Sequence, residues 1–120
     1  VHKFMFCLDT EDSPKLRDEL GRFRQIQLTQ SYYDIFDINL AGINKGTGLA
    51  WLAKKYGFDL KNTLAMGDQQ NDRSMLSAVG YPVATQNAEE DIKALAHFIT
   101  TDCNQSPLTH AVGHFFPQLL

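Results

Sequence analysis

The chain has 120 residues, 43% of them hydrophobic, and a formal net charge of -3 at pH 7. No continuous apolar segment approaches the roughly 20 residues that span a bilayer, and no segment concentrates Lys and Arg as a nucleic-acid-binding surface does. These properties argue against membrane and nucleic-acid partners and predict a cytoplasmic globular domain. We expect Cys7 and Cys103, which lack any motif spacing, to be free thiols.

Residues 1–40 predict a small β-α-β-β unit. Ser13-Pro14 is a helix start, because proline is favoured at the first helical position. Apolar and polar residues alternate in the segments that follow, as in half-buried strands. Strands are expected at residues 2–8, 25–29 and 32–40. We interpret this unit as one domain that is too small to hold a core alone.

Residues 41–120 alternate helices and strands, the pattern of an α/β fold with a doubly wound parallel sheet. Helices are expected at residues 45–56, 72–79, 89–96 and 107–116, and strands at residues 64–66, 81–84 and 98–100. Gly57 follows the first of these helices as a C-cap. We interpret this segment as the second domain.

The segment Gly67-Asp68-Gln69-Gln70-Asn71-Asp72 is the main candidate site. A short apolar strand that ends in Gly-Asp places its carboxylate at the carboxyl edge of a parallel sheet, where open α/β folds bind ligands. Asn71 and Asp72 follow one turn later, so the three polar groups can converge on a hard metal ion such as Mg²⁺. Without neighbouring motifs, Asp68 and Asp72 would be read as an N-cap and a first-turn carboxylate.

Lys45 begins the first helix of the second domain, in Asn44-Lys45-Gly46. A lysine fixed near a metal carboxylate suggests phosphate chemistry, because the two together neutralise a phosphoryl group. By itself, Lys45 would be interpreted as a solvated surface lysine. The assignment of Lys45 to phosphate binding therefore depends on the acidic segment downstream.

Three segments together resemble the C-terminal portion of the haloacid dehalogenase superfamily, in its Cof-type sugar-phosphatase branch. They are Ile43-Asn44-Lys45-Gly46, residues 64–76, and Val83-Ala84-Thr85-Gln86-Asn87-Ala88. The resemblance implies that residues 41–120 form the C-terminal part of the superfamily's doubly wound core. It implies more loosely that residues 1–40 are the last part of an α/β cap.

The resemblance also implies roles for individual residues. Lys45 matches the family's catalytic lysine, which holds the transferring phosphoryl group, and Asn71 matches the amide that contacts phosphate or orients that lysine. Asp68 matches the carboxylate that binds Mg²⁺, and Asp72 a supporting carboxylate that we assign to the metal site with it. The implied substrate is a small phosphorylated metabolite of the sugar-phosphate type.

The sequence departs from the family at the nucleophile, which lies in an Asp-x-Asp-Gly-Thr segment that these 120 residues lack. The nearest acidic segment begins at Asp9 but has neither the Asp-x-Asp spacing nor Gly-Thr, so we do not assign Asp9 as the nucleophile. We expect the chain alone to be inactive and to self-associate or to be complemented by a missing N-terminal half. The alternative is a non-catalytic remnant or interaction module that retains the fold.

Several residues receive structural interpretations. His110 and His114 have ligand spacing on the last helix, but without an evident third ligand they are read as helix surface. His2 and His97 are expected at packed strand positions. Trp51 and Tyr32-Tyr33 are expected to fill a core or cap face, and Asn87 is read as a turn residue before a helix, although the family places that loop near the site.

Overall fold

The computed structural model describes residues 3–9, 11–30 and 35–120, and these residues form two three-stranded sheets. The first sheet is antiparallel and lies within the first 40 residues. The second is parallel and lies between residues 64 and 99. The α/β class expected from the sequence is confirmed. The division into domains at residue 41, which falls between the two sheets, stays a prediction.

The antiparallel sheet has one apolar and one polar face. It consists of β1 (Phe4–Cys7), β2 (Ile26–Gln30) and β3 (Ile35–Leu40), in the order β1-β3-β2. Side chains alternate along a strand, so Phe36 points to one face and Asp37 to the other.

Helix α1 (Ser13–Leu20) covers the apolar face. The guanidinium carbon of its Arg17 lies 5.5 Å from the ring centroid of Phe36. Phe36 is fully buried and stacks on Phe6, with ring centroids 5.9 Å apart. Because α1 occupies this face, the polar face of the sheet remains for contacts with the second half of the chain.

Helix α2 (Lys45–Tyr56) begins at the lysine that the sequence singled out. The Asn44 side chain accepts a hydrogen bond from the Thr47 backbone N–H at 2.9 Å, and the Asn44 backbone N–H donates to the Thr47 hydroxyl at 3.0 Å. This reciprocal capping box satisfies two of the unpaired donors at the helix start. The helix ends at Gly57, whose φ of +73° suits glycine. The N-terminus that carries Lys45 is therefore well fixed.

The parallel sheet places the carboxyl ends of its strands side by side. Its strands are β4 (Leu64–Gly67), β5 (Tyr81–Ala84) and β6 (Phe98–Ile99), in sequential order. Gly67, the last residue of β4, pairs with Ala84, the last residue of β5. The loops that follow these two strands consequently leave from the same edge of the sheet.

Short helices pack on the parallel sheet. They are α3 (Arg73–Leu76), α4 (Glu90–Lys93) and α5 (Pro107–Phe115), and short 3-10 turns occupy Leu60–Asn62, Gln70–Asp72 and Pro117–Leu119. The buried cluster beneath them consists of Ala65, Leu76, Ala84, Ala88 and Ile92. Helices α3 and α4 are shorter than the sequence pattern predicted. Within the described residues, no helix combines the length and apolarity needed to cross a bilayer.

Two predictions about single side chains are wrong. Trp51 is 59% exposed on α2 and fills no core, and the Lys55 ammonium lies 4.8 Å from its ring centroid. His97 is exposed and precedes β6, so it is not a packed strand residue. The predictions for His2 and for Tyr32-Tyr33 lie outside the described residues.

The expectation that His110 and His114 lie on the helix surface is confirmed. Their rings stack on Phe98, with centroids 5.5 and 3.9 Å from its ring. These contacts dock α5 against β6. Cys7 and Cys103 are free and exposed, also as expected.

Candidate active site

The loop that follows β4 folds back on itself around Asp72. The backbone N–H groups of Asp68 and Gln69 donate to Asp72 Oδ2, at 3.1 and 3.3 Å. A side chain on Gly67 could not be accommodated, because its Cβ would lie 2.5 Å from the Cβ of Asp72. The glycine of the Gly-Asp dipeptide is thus required by the tight approach of the loop to the end of its own strand.

Lys45 reaches this loop from the start of α2. Its ammonium forms an ion pair with Asp72 Oδ1 and donates to Asn71 Oδ1 at 3.3 Å. The Asp72 side chain is 6% exposed and that of Lys45 is 48% exposed, so the pair joins a buried carboxylate to an accessible cation. An ammonium has three N–H donors, and these two contacts leave one for an anion in the cleft.

The close approach of α2 and α3 positions Lys45. The Gly46 backbone N–H donates to the Ser74 hydroxyl at 3.0 Å, and a Cβ on Gly46 would lie 2.5 Å from the Ser74 carbonyl oxygen. Glycine at this position therefore lets the two helices touch through their backbones. The lysine next to it is consequently carried to the acidic loop.

Asp68 is half-buried, and its pKa is raised above the ordinary value of 3.8. Burial is the main cause and the neighbouring charge of Asp72 adds to it, whereas Lys45 lowers the pKa. A carboxylate that is costly to ionise gains from a cation at the same position, because the cation offsets its charge. The electrostatics of Asp68 thus fit a metal ligand.

The donor set fits Mg²⁺ through Asp68 more directly than through Asp72. Both oxygens of Asp72 already accept hydrogen bonds, one from Lys45 and the other from two backbone N–H groups. Mg²⁺ commonly takes one or two carboxylates and keeps several waters. Among the described residues, no three His, Cys, Asp or Glu side chains converge in a metal-binding group. A metal-ligand role for Asp72 stays a prediction.

Of the four site residues predicted from the sequence, three contact one another through their side chains. The fourth, Asp68, contacts them through its backbone. Lys45, Asn71 and Asp72 meet directly, and Asp68 contributes its backbone N–H.

The Asn87 side-chain oxygen accepts a hydrogen bond from the Cys103 backbone N–H at 3.1 Å, and Asn87 lines a second cleft together with Gln69 and Gln70. Asn87 therefore lies beside the loop that carries the site.

Asp9 lies away from the parallel sheet that carries this site. It is exposed, and it follows β1, which belongs to the antiparallel sheet. Its backbone carbonyl accepts from the Asp12 N–H at 3.0 Å and closes a turn before α1. These features argue against Asp9 as the nucleophile.

A polar network that the sequence did not indicate connects the acidic loop to α4. The Gln70 amide donates to both oxygens of Asp91, at 2.8 and 2.7 Å, and to Glu89. Arg73 forms an ion pair with the same Asp91. The hydrogen bond from Gln70 is the largest cause of a lowered Asp91 pKa, and Arg73 adds to it. The acidic first turn of α4 was the sequence signal for this network. The residues that bind it, Gln70 and Arg73, lie about 20 positions earlier in the chain, so the sequence did not show the contact.

A cleft of about 260 Å³ separates the polar face of the antiparallel sheet from the Lys45 site. The sheet contributes Thr29, Asp37 and Asn39, with Lys3 just ahead of β1. Lys45 and Asn71 lie on the opposite wall, beside Ile43 and Asn44. The two halves of the chain therefore enclose one polar space, and the candidate phosphate-binding residues open into it.

Known proteins match nearly the whole chain in sequence. Residues 1–112 match the family model described as haloacid dehalogenase-like hydrolase. The 5-amino-6-(5-phospho-D-ribitylamino)uracil phosphatase YcsE of Bacillus subtilis is 32% identical over 114 residues, which is 94% of this chain and 46% of that protein. The HMP-PP phosphatase of Klebsiella pneumoniae is 35% identical over 119 residues, which is 96% of this chain and 44% of that protein.

Solved structures agree with these relatives. A phosphatase of the same superfamily, BT1666 from Bacteroides thetaiotaomicron, superposes with a TM-score of 0.82 at 32% identity, and the match covers 95% of this chain and 41% of that one. The chain thus spans less than half the length of the proteins it is similar to.

Proposed function

The chain belongs to the haloacid dehalogenase-like hydrolases, and on that premise we propose that it forms part of a Mg²⁺-dependent phosphohydrolase of small phosphorylated metabolites, such as sugar phosphates. The observation that carries the proposal is the contact of the Lys45 ammonium with Asn71 and Asp72 at the mouth of a polar cleft. The names of two similar proteins, both phosphatases, support it.

Lys45 binds the phosphoryl group in this proposal. Its accessible ammonium supplies positive charge to the phosphoryl oxygens, whose charge grows or spreads during transfer. Asp72 holds the Lys45 ammonium in position, because its buried carboxylate forms an ion pair with that ammonium. Asn71 fixes the ammonium from a second side and presents its own amide N–H groups to phosphate.

Asp68 holds the metal in this proposal. Bound Mg²⁺ supplies charge neutralisation and orientation of the phosphoryl oxygens. The Asp68 carboxylate lies on the loop whose backbone N–H groups bind Asp72. The proposed metal ligand and the ion-pair partner of Lys45 therefore belong to one short segment. We propose that Asp72 holds this segment in its conformation. We also propose that Asp72 supports the metal site.

The attacking carboxylate comes from outside these 120 residues, in cis or from another chain. The sequence contains no Asp-x-Asp-Gly-Thr segment, and transfer through an aspartyl-phosphate requires that carboxylate. The chain alone can bind phosphate through Lys45, but it lacks the group that accepts the phosphoryl. We therefore expect no appreciable turnover of phosphomonoesters by the isolated chain.

A binding experiment tests the proposed site without relying on turnover. Inorganic phosphate and MgCl₂ are titrated into the ¹⁵N-labelled chain, and amide shifts are followed by NMR. We expect phosphate to shift residues near Lys45, and Lys45→Ala to abolish this response. Lys54→Ala, an exposed change on the same helix, is the matched control and should bind as the wild type does. Unchanged phosphate binding in Lys45→Ala would contradict the proposal.

A phosphatase assay tests the missing nucleophile. Mg²⁺-dependent turnover by the isolated chain that survives Asp68→Asn would contradict the metal assignment. Turnover that disappears in Asp9→Asn would show that Asp9 is the nucleophile after all.

The second candidate is a non-catalytic module that keeps the fold, and the absence of the nucleophile segment from the sequence is the observation that favours it. The binding experiment separates the two candidates. A folded chain that binds neither Mg²⁺ nor phosphate supports the non-catalytic module, whereas Lys45-dependent phosphate binding supports the enzyme.

A further inference from the structure

We infer that Arg73 and Asp91 are positioning residues for the metal site, and that they act through the Gln70 amide, which joins the acidic loop to the start of α4. This inference rests on the proposed function, because it takes Asp68 as the Mg²⁺ ligand. Neither Arg73 nor Asp91 binds the metal. The two residues instead fix the backbone that carries Asp68.

The backbone of Asp68 is held on both of its sides. Its N–H donates to Asp72 Oδ2 at 3.1 Å, and its carbonyl oxygen accepts from the Glu89 backbone N–H at 3.0 Å. Glu89 is the N-cap residue of α4. The direction in which the Asp68 side chain leaves the loop therefore depends on where α4 begins relative to that loop.

The Gln70 side chain holds the start of α4 against the loop. A side-chain amide has two N–H donors and a carbonyl acceptor, and Gln70 uses both kinds of group. Its Nε2 atom donates to Glu89 and to both carboxylate oxygens of Asp91, and its Oε1 atom accepts from Arg73 Nε at 3.2 Å. Because Arg73 and Asp91 also form an ion pair, the side chains of Gln70, Arg73 and Asp91 close a polar ring.

The exposure of the polar ring argues against a mainly stabilising role. The Arg73 and Asp91 side chains are 45% and 51% exposed, and ion pairs at such accessible positions contribute little to the free energy of unfolding. Metal binding is more sensitive to contacts of this kind. Removal of a group that orients a metal ligand from behind commonly lowers metal affinity by about 10- to 100-fold.

The polar ring acts on the metal side of the loop and not on the lysine side. Lys45 reaches Asn71 and Asp72 from α2, and its position depends on the contact of Gly46 with Ser74. Loss of the polar ring should therefore weaken Mg²⁺ binding and leave phosphate binding at Lys45 nearly unchanged. A general loss of structure would weaken both.

The test titrates MgCl₂ and, separately, inorganic phosphate into the ¹⁵N-labelled variant Asp91→Asn and follows amide shifts by NMR. We expect the Mg²⁺ affinity to fall about tenfold and the phosphate affinity to change less than about twofold. Glu90→Gln is the matched control, because it removes the same charge from the same turn and Glu90 pairs with Lys93 outside the polar ring. It should change the Mg²⁺ affinity by less than about twofold, since solvent and salt screen an exposed charge.

A metal-free measurement reports on the same contact. In EDTA, amide hydrogen exchange at Glu89 should be faster in Asp91→Asn than in Glu90→Gln, because the hydrogen bond of Glu89 to the Asp68 carbonyl opens more often.

An exchange of the two charges tests the polar ring itself. Arg73→Asp should weaken Mg²⁺ binding as Asp91→Asn does. The double variant Arg73→Asp/Asp91→Arg rebuilds the ion pair and offers Gln70 the same two kinds of partner with its amide turned over. We expect its Mg²⁺ affinity to return to within about threefold of the wild type, since the two positions act as one unit.

The outcomes separate this inference from the proposed function. Equal Mg²⁺ affinity of Asp91→Asn and Glu90→Gln, with Mg²⁺ binding by the wild type intact, overturns the positioning role alone. A double variant that binds as weakly as Arg73→Asp also overturns it. A wild type that does not bind Mg²⁺, or that binds it equally well after Asp68→Asn, contradicts the metal assignment, and the inference fails with it. If Asp91→Asn does not fold, Arg73→Gln breaks the same ion pair and takes its place.

Discussion

Lys45 and Asp72 show how a single ion pair can organise a site. Asp72 is buried and would be costly as an isolated charge, and the lysine that compensates it remains half-exposed. The same carboxylate fixes two backbone N–H groups of the loop that carries Asp68. At the residue scale, the positive and negative parts of the candidate site therefore depend on one side chain.

We expect Lys45→Ala to lower the free energy of unfolding by about 1–2 kcal/mol, because it leaves the Asp72 carboxylate without its charged partner. The expected loss is smaller than for a fully buried ion pair, because solvent reaches Lys45 and screens the interaction. Urea unfolding followed by circular dichroism measures it. The control Lys54→Ala should change stability by less than about 0.5 kcal/mol. Equal stability of the two variants would contradict a structural role for the pair.

We expect Asp68→Asn to stabilise the metal-free protein near neutral pH. The Asp68 pKa is raised in the folded state, so that state binds more protons than the unfolded one at pH values just above 3.8. Stability contributed by this group therefore falls as the pH rises through that window, and ionised Asp68 opposes folding above it. The asparagine variant escapes this cost.

Urea unfolding in EDTA, at about pH 7 and about pH 4, tests this prediction. The advantage of Asp68→Asn should be larger at the higher pH. Added Mg²⁺ should stabilise the wild type and not the variant, because only the wild type keeps the carboxylate that binds it. The exposed change Asp18→Asn controls for the altered net charge. An asparagine variant that is less stable than the wild type at about pH 7 without metal would contradict the prediction.

At the scale of elements, the contact between α2 and α3 decides where Lys45 lies. Gly46 lets the start of α2 approach the Ser74 backbone, and the capping box of Asn44 and Thr47 fixes the direction of that start. The acidic loop is held from its other side by Gln70 and Arg73, which contact α4. The site is thus placed by contacts among three short elements and not by a single motif.

We expect Gly46→Ala to destabilise the protein by about 1–3 kcal/mol, since its Cβ would overlap the Ser74 carbonyl and push α2 from α3. The same shift should weaken phosphate binding by moving Lys45. Gly48→Ala is the matched control on the same helix, because its Cβ meets nothing within 4 Å. It should stabilise the helix by about 0.5–1 kcal/mol. Thermal unfolding of both variants measures the difference, and equal melting temperatures would show that the approach of the helices is not tight.

At the scale of the whole molecule, the parallel sheet has an open edge in the part of the chain that the structure describes. Strand β4 pairs with β5 on one side, and no described strand lies on its other side. An unpaired edge presents backbone donors and acceptors that another strand can bind. The loop that carries Asp68 and Asp72 begins at the end of this edge strand, so an added strand would end beside the candidate site.

We expect the isolated chain to associate as its concentration rises, through the edge of β4. Light scattering measured over a dilution series tests this expectation. Leu64→Lys, which places a charge on the edge strand, should reduce association. Leu108→Lys changes an exposed leucine on α5 and is the control. A monodisperse monomer at all concentrations would contradict the prediction, and an equal effect of both variants would indicate a different surface.

The sequence indicated the order of the helices and strands and the segments that form the candidate site. Hydrophobic alternation indicated the strands of the first domain, Asn44-Lys45-Gly46 marked the start of α2, and Gly67-Asp68 followed a short apolar strand. These signals are local, because each depends on residues within one or two turns of one another. The resemblance to the superfamily rested on the same local segments, and the comparisons confirmed it.

Only the tertiary structure decided which side chains meet. It paired Lys45 with Asp72, engaged both Asp72 oxygens, and placed Asp37 across a cleft from Lys45. It also left Trp51 exposed, where a large aromatic residue had been expected to be buried. The reason is that burial and contact depend on how separate elements pack, and a pair such as Lys45 and Asp72, with a sequence separation of 27, carries no local signal of that packing.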